Sequence, residues 1–452
     1  MKRVYSITDL ARLYIKSLEE AGEKVSMAED VPRREASIFL VHRAMTNQTR
    51  HYHDLAHLFQ VARGLPPLGR LAAIYHDTIY FQIDGGFPPG VVELMHDVVE
   101  SNERGIFLTQ TPDKLLRDVM SIFGMTPGQE LSPAKGINEF LSAVLAVREL
   151  RDDLETKALW TIAACIEGTI PFRHPIDGIS AQDGLAMRLA TLHNHDSTLS
   201  SSEIERIVKL AARMANADVA SFGKDELGPF IENTWQLLPE TNAECYSMTC
   251  SIQDYREALQ RMKSFLSQLD PDLIFRRYHD EPEDFEAMLD NARKNLLGAN
   301  DYLRAHIVAL ALLQALAQAT GGDGPISYFT GLTESSHSKF QRLIEKSPHS
   351  LHGSETYRNE QVAQALCGKH STSTRFDHGL SPLAAFFYET LDAAELHQLE
   401  CRIPMNQSDA SSWRQFLSTV PPRIVREVAL VLCETAYVRR HALASLIAHA
   451  SS

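Results

Sequence analysis

The stretch "RHYHDLAHLFQVA", Arg50 to Ala62, packs three histidines into seven residues ahead of an ordinary apolar helix pattern. Histidine is a mediocre helix former and the commonest neutral-nitrogen metal ligand. His53 and His57 stand four apart, which on a helix puts both on one face, while His51 points away from it. About twenty residues on, "LAAIYHDTIY" (Leu71 to Tyr80) sets His76 beside Asp77 at the end of an apolar helix. Such a pair is costly to bury. A divalent cation offsets the carboxylate charge and satisfies the imidazole nitrogen. Later, "MANADVASFG" (Met214 to Gly223) puts Asp218 in a small-residue helix, where a buried carboxylate again calls for a cation or a strong donor. A core histidine and a chance His-Asp dipeptide are the plainer readings. Spacing alone leaves them open beside a metal site.

Outward from this stretch, nearly every periodic segment is helical. "TDLARLYIKSLEEAG", "EASIFLVHRAM", "NEFLSAVLAVREL", "KALWTIAACIEG" and "SSEIERIVKLAARMANADVASFG" repeat apolar residues every three or four positions. The expected fold class is all-α. A chain of 452 residues exceeds one compact core. A boundary is expected at "LLPETN" (Leu237 to Asn242), giving an N-terminal domain over 1–236 and a helical C-terminal domain over 237–452. Breaker clusters "FQIDGGFPPG" and "MTPGQELSPAKG" delimit an insertion over about 81–137, with a helix expected over "VVELMHDVVESNERG". It reads as a lid or as a passive surface excursion. In the C-terminal half, Gly298 is expected to interrupt or bend a helical tract from Pro282 to Thr320. The polar stretch from Ser335 to Leu380, with His337, His349, His352, His370 and His378, reads as solvated loop. "IVREVALVLCETAYVRRHALASLIAHA" closes the chain as one amphipathic helix.

The formal net charge is −14 and no basic stripe interrupts it, so no nucleic-acid polymer is expected as a partner. Substrate phosphates would have to meet a metal or a few local arginines. "MKRVYSITDLARLYIKSLEEAG" reads as an amphipathic helix and not a signal peptide. "IVALALLQALAQA" (Ile307 to Ala319) is too short to span a bilayer and reads as a buried core helix. The six cysteines lack CxxC spacing and suit reduced thiols, so a cytoplasmic protein without membrane contact is expected.

Five blocks in order, from about Ser37 to Lys224, resemble one branch of the HD-domain superfamily of metal-dependent phosphohydrolases. "RHYHDLAHL" is similar to its R-x-Y-H-x-x-x-H opening, and "LAAIYHDTIY" to its apolar H-D-x-x-Y segment. "NEFLSA" is similar to its N-E-x-x-S-A helix, "ACIEGTIPFRH" to its T-x-x-H segment, and "ANADVASFG" to its final aspartate helix. The resemblance covers about half the chain and nothing after Leu237. It implies an HD-type helical bundle with His57, His76, Asp77 and Asp218 as metal ligands. It places His53 near the metal or substrate, Arg50 near a phosphate or an acidic partner, and Asn138 and Glu139 facing the site. Two departures stand out. The segment before the N-E helix is long, and His174 falls one position late, so that Arg173 is a candidate cation for phosphate in its stead.

Two imidazoles and two carboxylates suit a divalent ion such as Mn, Fe, Co, Ni, Zn or Mg. The expected function is hydrolysis of a small phosphorylated substrate, a nucleotide among the candidates, by a metal-activated water. Glu139 is the candidate general base or a support for a ligand histidine, with Asp77 and His53 also at the reacting centre. Arg50, Asn138 and Arg173 are the candidate substrate contacts, a surface ion pair being the plainer reading for Arg50. Two other readings stay open. One is a di-iron oxygenase drawing extra ligands from His96 and His174; the other is a metal-stabilised scaffold or sensor whose C-terminal half binds a partner, a second copy of the chain included.

Overall fold

The computed structural model describes residues 4–22, 30–103, 105–111, 113–132, 136–194, 197–246, 249–279, 282–331, 339–340, 342–343, 359–367, 377–404 and 410–450. His337, His349, His352 and His370 lie outside these residues. Among the described residues the fold is all-α apart from five short strands. It divides into two compact units: Met1–Gly223 with Asp270–Asp290, and Lys224–Leu269 with Asn291–Ser452.

The first unit opens with α1 (Ile7–Ala21), α2 (Val31–Met45), α3 (Leu55–Ala62) and α4 (Pro67–Tyr75). Ser6 starts α1 through a reciprocal capping box with Asp9, which satisfies two otherwise orphaned amides. Its buried residues Leu10, Tyr14, Ser17 and Leu18 recur at helical spacing. Short α5 (Phe81–Asp84) and α6 (Val92–Met95) lead into β1 (Val99–Asn102), β2 (Gly105–Leu108), α7 (Lys114–Phe123) and β3 (Glu130–Leu131). Then come α8 (Ile137–Leu150), α9 (Thr156–Gly168), α10 (Ala181–Ala190), the strand pair β4 (His193–Asn194) and β5 (Ser197–Thr198), and α11 (Ser201–Asp218). Helices α8 and α9 are buried on nearly every side, and α9 packs against α4, α7, α8 and α11. They form the centre on which the other helices lay their apolar stripes.

The stretch over 81–137 is neither lid nor surface excursion. Its Leu108, Leu116, Val119, Met120 and Ile122 are buried in the same core as α8 and α9. The helix expected over "VVELMHDVVESNERG" keeps only Val92–Met95. Val99 to Asn102 instead form a strand of a hairpin in which Val99 pairs with Leu108 and Asn102 with Gly105.

The second unit contains α12 (Leu227–Thr241), α13 (Ile252–Gln268), most of α14 (Phe285–Thr320) and α15 (Ile326–Thr330). Its remaining helices are α16 (Glu360–Cys367), α17 (Asp377–Thr390), α18 (Ala393–Cys401), α19 (Ala410–Thr419), α20 (Pro422–Thr435) and α21 (Arg440–Ala450). The boundary expected at Leu237–Asn242 falls on the last turn of α12, where Leu238 and Pro239 are buried. That breaker cluster ends a helix, and the units part at Gly223 instead. Gly298 does not interrupt α14, which runs unbroken for 36 residues. A Cβ there would come within 2.9 Å of Leu227, so the glycine serves the close approach of α12. The closing segment is two helices, broken at Ala436, and not one. By length and composition α14 could cross a membrane, yet 78% of its most apolar window is buried within the protein.

Candidate metal centre

Three helix ends converge in the first unit. Asp54 caps α3 by accepting the His57 amide at 3.0 Å, which fixes the first turn that carries the His57 ring. Helix α4 ends at His76, with Asp77 next in the chain. Helix α11 ends at Asp218. One ligand atom from each of His57, His76, Asp77 and Asp218 lies within 4.8 Å of all the others. Nε2 of His57 is 2.9 Å from Oδ1 of Asp218 and 3.5 Å from Oδ2 of Asp77. Nε2 of His76 is 3.0 Å from Oδ2 of Asp77 and 3.6 Å from Oδ1 of Asp218.

The donor set fits a divalent cation. The Nδ1 of His76 is 2.9 Å from the carbonyl oxygen of Ala73, and donation there leaves the Nε2 lone pair facing the carboxylates, as in a metal-ligating histidine. The Nε2 of His76 and the Oδ2 of Asp77 are buried and lack any hydrogen-bond partner despite their proximity. Two orphaned polar atoms at one point are expensive, and an ion between them removes the cost. Without a cation the four groups lean on one another. Burial pulls His57 down, but the hydrogen bond to Asp218 and the nearby carboxylates of Asp218 and Asp77 outweigh that and hold it up at about 9. Burial likewise opposes ionisation of Asp218, and the two histidines overcome it, taking it down to about 2. The cluster can therefore hold a metal ion, His57 and His76 by nitrogen and Asp77 and Asp218 by oxygen.

Arg50 and Asn138 hold the scaffold of this cluster and do not face a phosphate. The Arg50 side chain is fully buried, and its guanidinium donates to the carbonyl oxygens of Asp77 (2.5 Å) and Thr78 (3.3 Å) and to both carboxylate oxygens of Asp84 (2.6 and 3.2 Å). It has the acidic partner expected of it, in the interior and not at the surface. Asn138 accepts the amide of Phe81 at 3.0 Å and donates to Gln82 at 2.8 Å. One turn along α8, Ser142 accepts the amide of Ile79 at 3.0 Å. Together these two residues pin the chain just after Asp77. Ser142 is a site support that the sequence reading passed over, although it sits in the quoted "NEFLSA".

Glu139 occupies the first turn of α8, half-buried. Gly136, which precedes the helix at φ 73°, leaves no room for a Cβ against Ile170. Burial, and then repulsion from Asp77 and Asp218, raise Glu139 to about 7, against a lowering by its own backbone amide. Its carboxylate is thus within electrostatic reach of the ligands without being one. His53 precedes the N-cap of α3, so it does not share a helix face with His57. Its ring nonetheless lies 5.6 Å from that of His57 and 4.6 Å from that of Tyr80. His51 is exposed, as expected. Neither His96 nor His174 belongs to the cluster: both are exposed, and the Nδ1 of His96 lies 2.6 Å from the carbonyl oxygen of Glu93. Arg173 is tied to Glu167 by hydrogen bonds of 2.5 and 3.2 Å. The chain matches no protein-family model, no curated protein and no solved structure.

Proposed function

We propose that the protein is a metal-dependent phosphohydrolase acting on a small phosphorylated molecule. The observation that carries this reading is the convergence of His57, His76, Asp77 and Asp218 with two buried atoms left unsatisfied. The ordered resemblance of its five sequence blocks to the HD-domain superfamily supports it, as does the acidic overall charge, which disfavours polymeric nucleic acid.

When bound, a divalent cation supplies Lewis acidity to a water and to a phosphoryl oxygen. The chain does the rest. Asp77 and Asp218 neutralise the cation, while the Ala73 carbonyl keeps the His76 ring in the ligating tautomer. Glu139, raised by burial and by the neighbouring carboxylates, is poised to take a proton from the attacking water near neutral pH. His53, beside His57 and Tyr80, borders the cluster where a substrate would approach it.

The test is a metal-by-substrate matrix. Chelator-treated protein reloaded separately with Mn, Fe, Co, Ni, Zn or Mg is assayed on nucleotides and small phosphate esters. Phosphate release that depends on the metal and is lost in Asp77→Ala is expected. Tight metal binding without turnover on any ester refutes the assignment.

A further inference from the structure

Two thiols meet in the connection between α12 and α13, in the second unit. Cys245 lies in a single 3₁₀ turn, Ala243–Tyr246, just after α12. Cys250 stands immediately ahead of Ser251, the N-cap of α13. Four residues separate the two cysteines, and their side chains hydrogen-bond to each other. Both are buried, Cys250 to 1% exposure and Cys245 to 8%. The main chain fixes each of them. The Cys245 amide donates to the Asn242 carbonyl oxygen at 2.9 Å. The Cys250 carbonyl oxygen accepts the Ile326 amide at 2.9 Å, and the Ile252 amide donates to the Gly324 carbonyl oxygen at 3.1 Å.

The two sulfurs are not equivalent. The hydrogen bond from Cys250 holds Cys245 below the ordinary thiol range, and the Arg261 guanidinium adds to it, against burial and the charges of Glu244 and Asp254. That guanidinium is fixed nearby, donating to the Asn242 side-chain oxygen at 2.6 and 2.9 Å. The same thiol–thiol bond, together with burial, shifts Cys250 upward. The Cys250 sulfur also lies 3.7 Å from the Ser251 carbonyl oxygen. Cys165 makes the contrast, since it is fully buried in α9 and burial alone raises it. A thiolate beside a cation, in contact with a second thiol, is the arrangement in which one sulfur is oxidised and the other resolves it.

We propose that Cys245 and Cys250 form a reversible disulfide site, with Cys245 as the attacking sulfur and a peroxide as the oxidant. The Cys245 thiolate attacks one oxygen of hydrogen peroxide. The O–O bond breaks, hydroxide leaves with the electron pair, and a sulfenic acid remains. Cys250 then gives up its proton and attacks that sulfur. The S–S bond forms, the S–O bond breaks, and the oxygen departs as water. Across both steps the two thiols lose two electrons, and one peroxide is reduced to two waters. The bond staples the turn after α12 to the start of α13, and a dithiol reductant reopens it. None of this rests on the hydrolysis reading.

The test takes the full-length protein, reduced and then freed of reductant, through hydrogen peroxide, N-ethylmaleimide, trypsin and mass spectrometry. No lysine or arginine lies between Asp225 and Arg256, so both cysteines fall in one peptide. The expected result is the loss of both alkylation sites, in a peptide two hydrogens lighter than the dithiol, with dithiothreitol restoring both. Cys401, which is exposed, marks that the oxidant has acted. Cys245 and Cys250 both alkylated in protein whose Cys401 is oxidised overturns the proposal. So does a disulfide joining either of them to another cysteine. In Cys250→Ser a hydroxyl can still donate to Cys245 but cannot resolve it, so Cys245 is expected to stop at the sulfenic acid and to be labelled by dimedone. An unlabelled Cys245 in that variant, once folded, overturns its role as the attacking sulfur. If the variant does not fold, the wild-type peptide decides alone.

Discussion

The guanidinium of Arg50 donates to the main-chain oxygen of Asp77 at 2.5 Å, so the residue that offers a carboxylate to the metal cluster is held from behind by a buried cation. The same cation pairs with Asp84, itself 5% exposed at the side chain. Removing one partner of such a pair leaves the other charged and buried. Arg50→Met is therefore expected to cost about 3–5 kcal/mol in denaturant unfolding, more than a surface pair could. A loss under about 1 kcal/mol, the scale of an exposed pair, would show that this buried pair does not hold the Asp77 segment in place.

Metal binding should depend on the two carboxylates together. Asp218→Asn removes one negative charge from the cluster while keeping its shape. Wild-type protein is expected to retain a divalent ion through gel filtration, and Asp218→Asn to lose it, as read by elemental analysis. Equal metal content in the two proteins would show that the ion sits elsewhere.

Stability and metal affinity should respond oppositely to pH. His57 is raised from 6.5 to about 9 in the folded, metal-free protein. The stability it contributes is full below 6.5 and is lost as pH rises through 9. Asp218 is lowered from 3.8 to about 2, so its contribution is full above 3.8 and disappears as pH falls through 2. Chelated protein should accordingly melt highest between about pH 4 and 6.5 and soften toward pH 9. A cation has to displace the imidazole protons, so the added stability from metal should grow over the same alkaline range. Melting curves with and without chelator from pH 5 to 9 check both slopes; parallel curves would count against His57 as a ligand.

Glu139→Gln should leave metal content unchanged and slow turnover by roughly 10²–10⁴-fold, the ordinary range for a lost general base. The acidic limb of the pH–rate profile should go with it. A bound cation cancels the repulsion that Asp77 and Asp218 exert on Glu139, so that limb should lie below 7 in the loaded enzyme. A variant that lowers metal affinity and spares turnover at saturating metal would make Glu139 a support for the ligands instead.

Much of the fold could be read locally. Ser200 and Glu203 form the capping box that opens α11, and the helical spacing that follows runs to Asp218. The four residues that could hold a metal were singled out by the ordered resemblance of their blocks to the HD-domain superfamily, since histidine and aspartate near the ends of apolar helices leave a metal site open beside plainer readings. The hairpin at Val99–Leu108 was not legible, since the apolar pairs within "VVELMHDVVE" fit a helical period as well as a strand. Arg50 meets the acidic partner that was one of its two expected neighbours, and Asn138 meets main chain and Gln82, because residue type announces a charge or an amide without saying which group it will meet. The place of Arg276 was invisible altogether. Its main chain is held in the first unit by the side chain of Asn216, 60 residues earlier in the chain, and no local pattern encodes that pairing.

That pairing also bears on the order of events at the ribosome. The first unit lacks its Asp270–Asp290 segment until the intervening Lys224–Leu269 stretch has been made. At roughly 5–20 residues per second, the nascent chain waits several seconds with the Asn216 amide still uncovered. A fragment truncated at Gly223 would be frozen in that unfinished state, whereas one extended to Asp290 would carry every piece of the first unit.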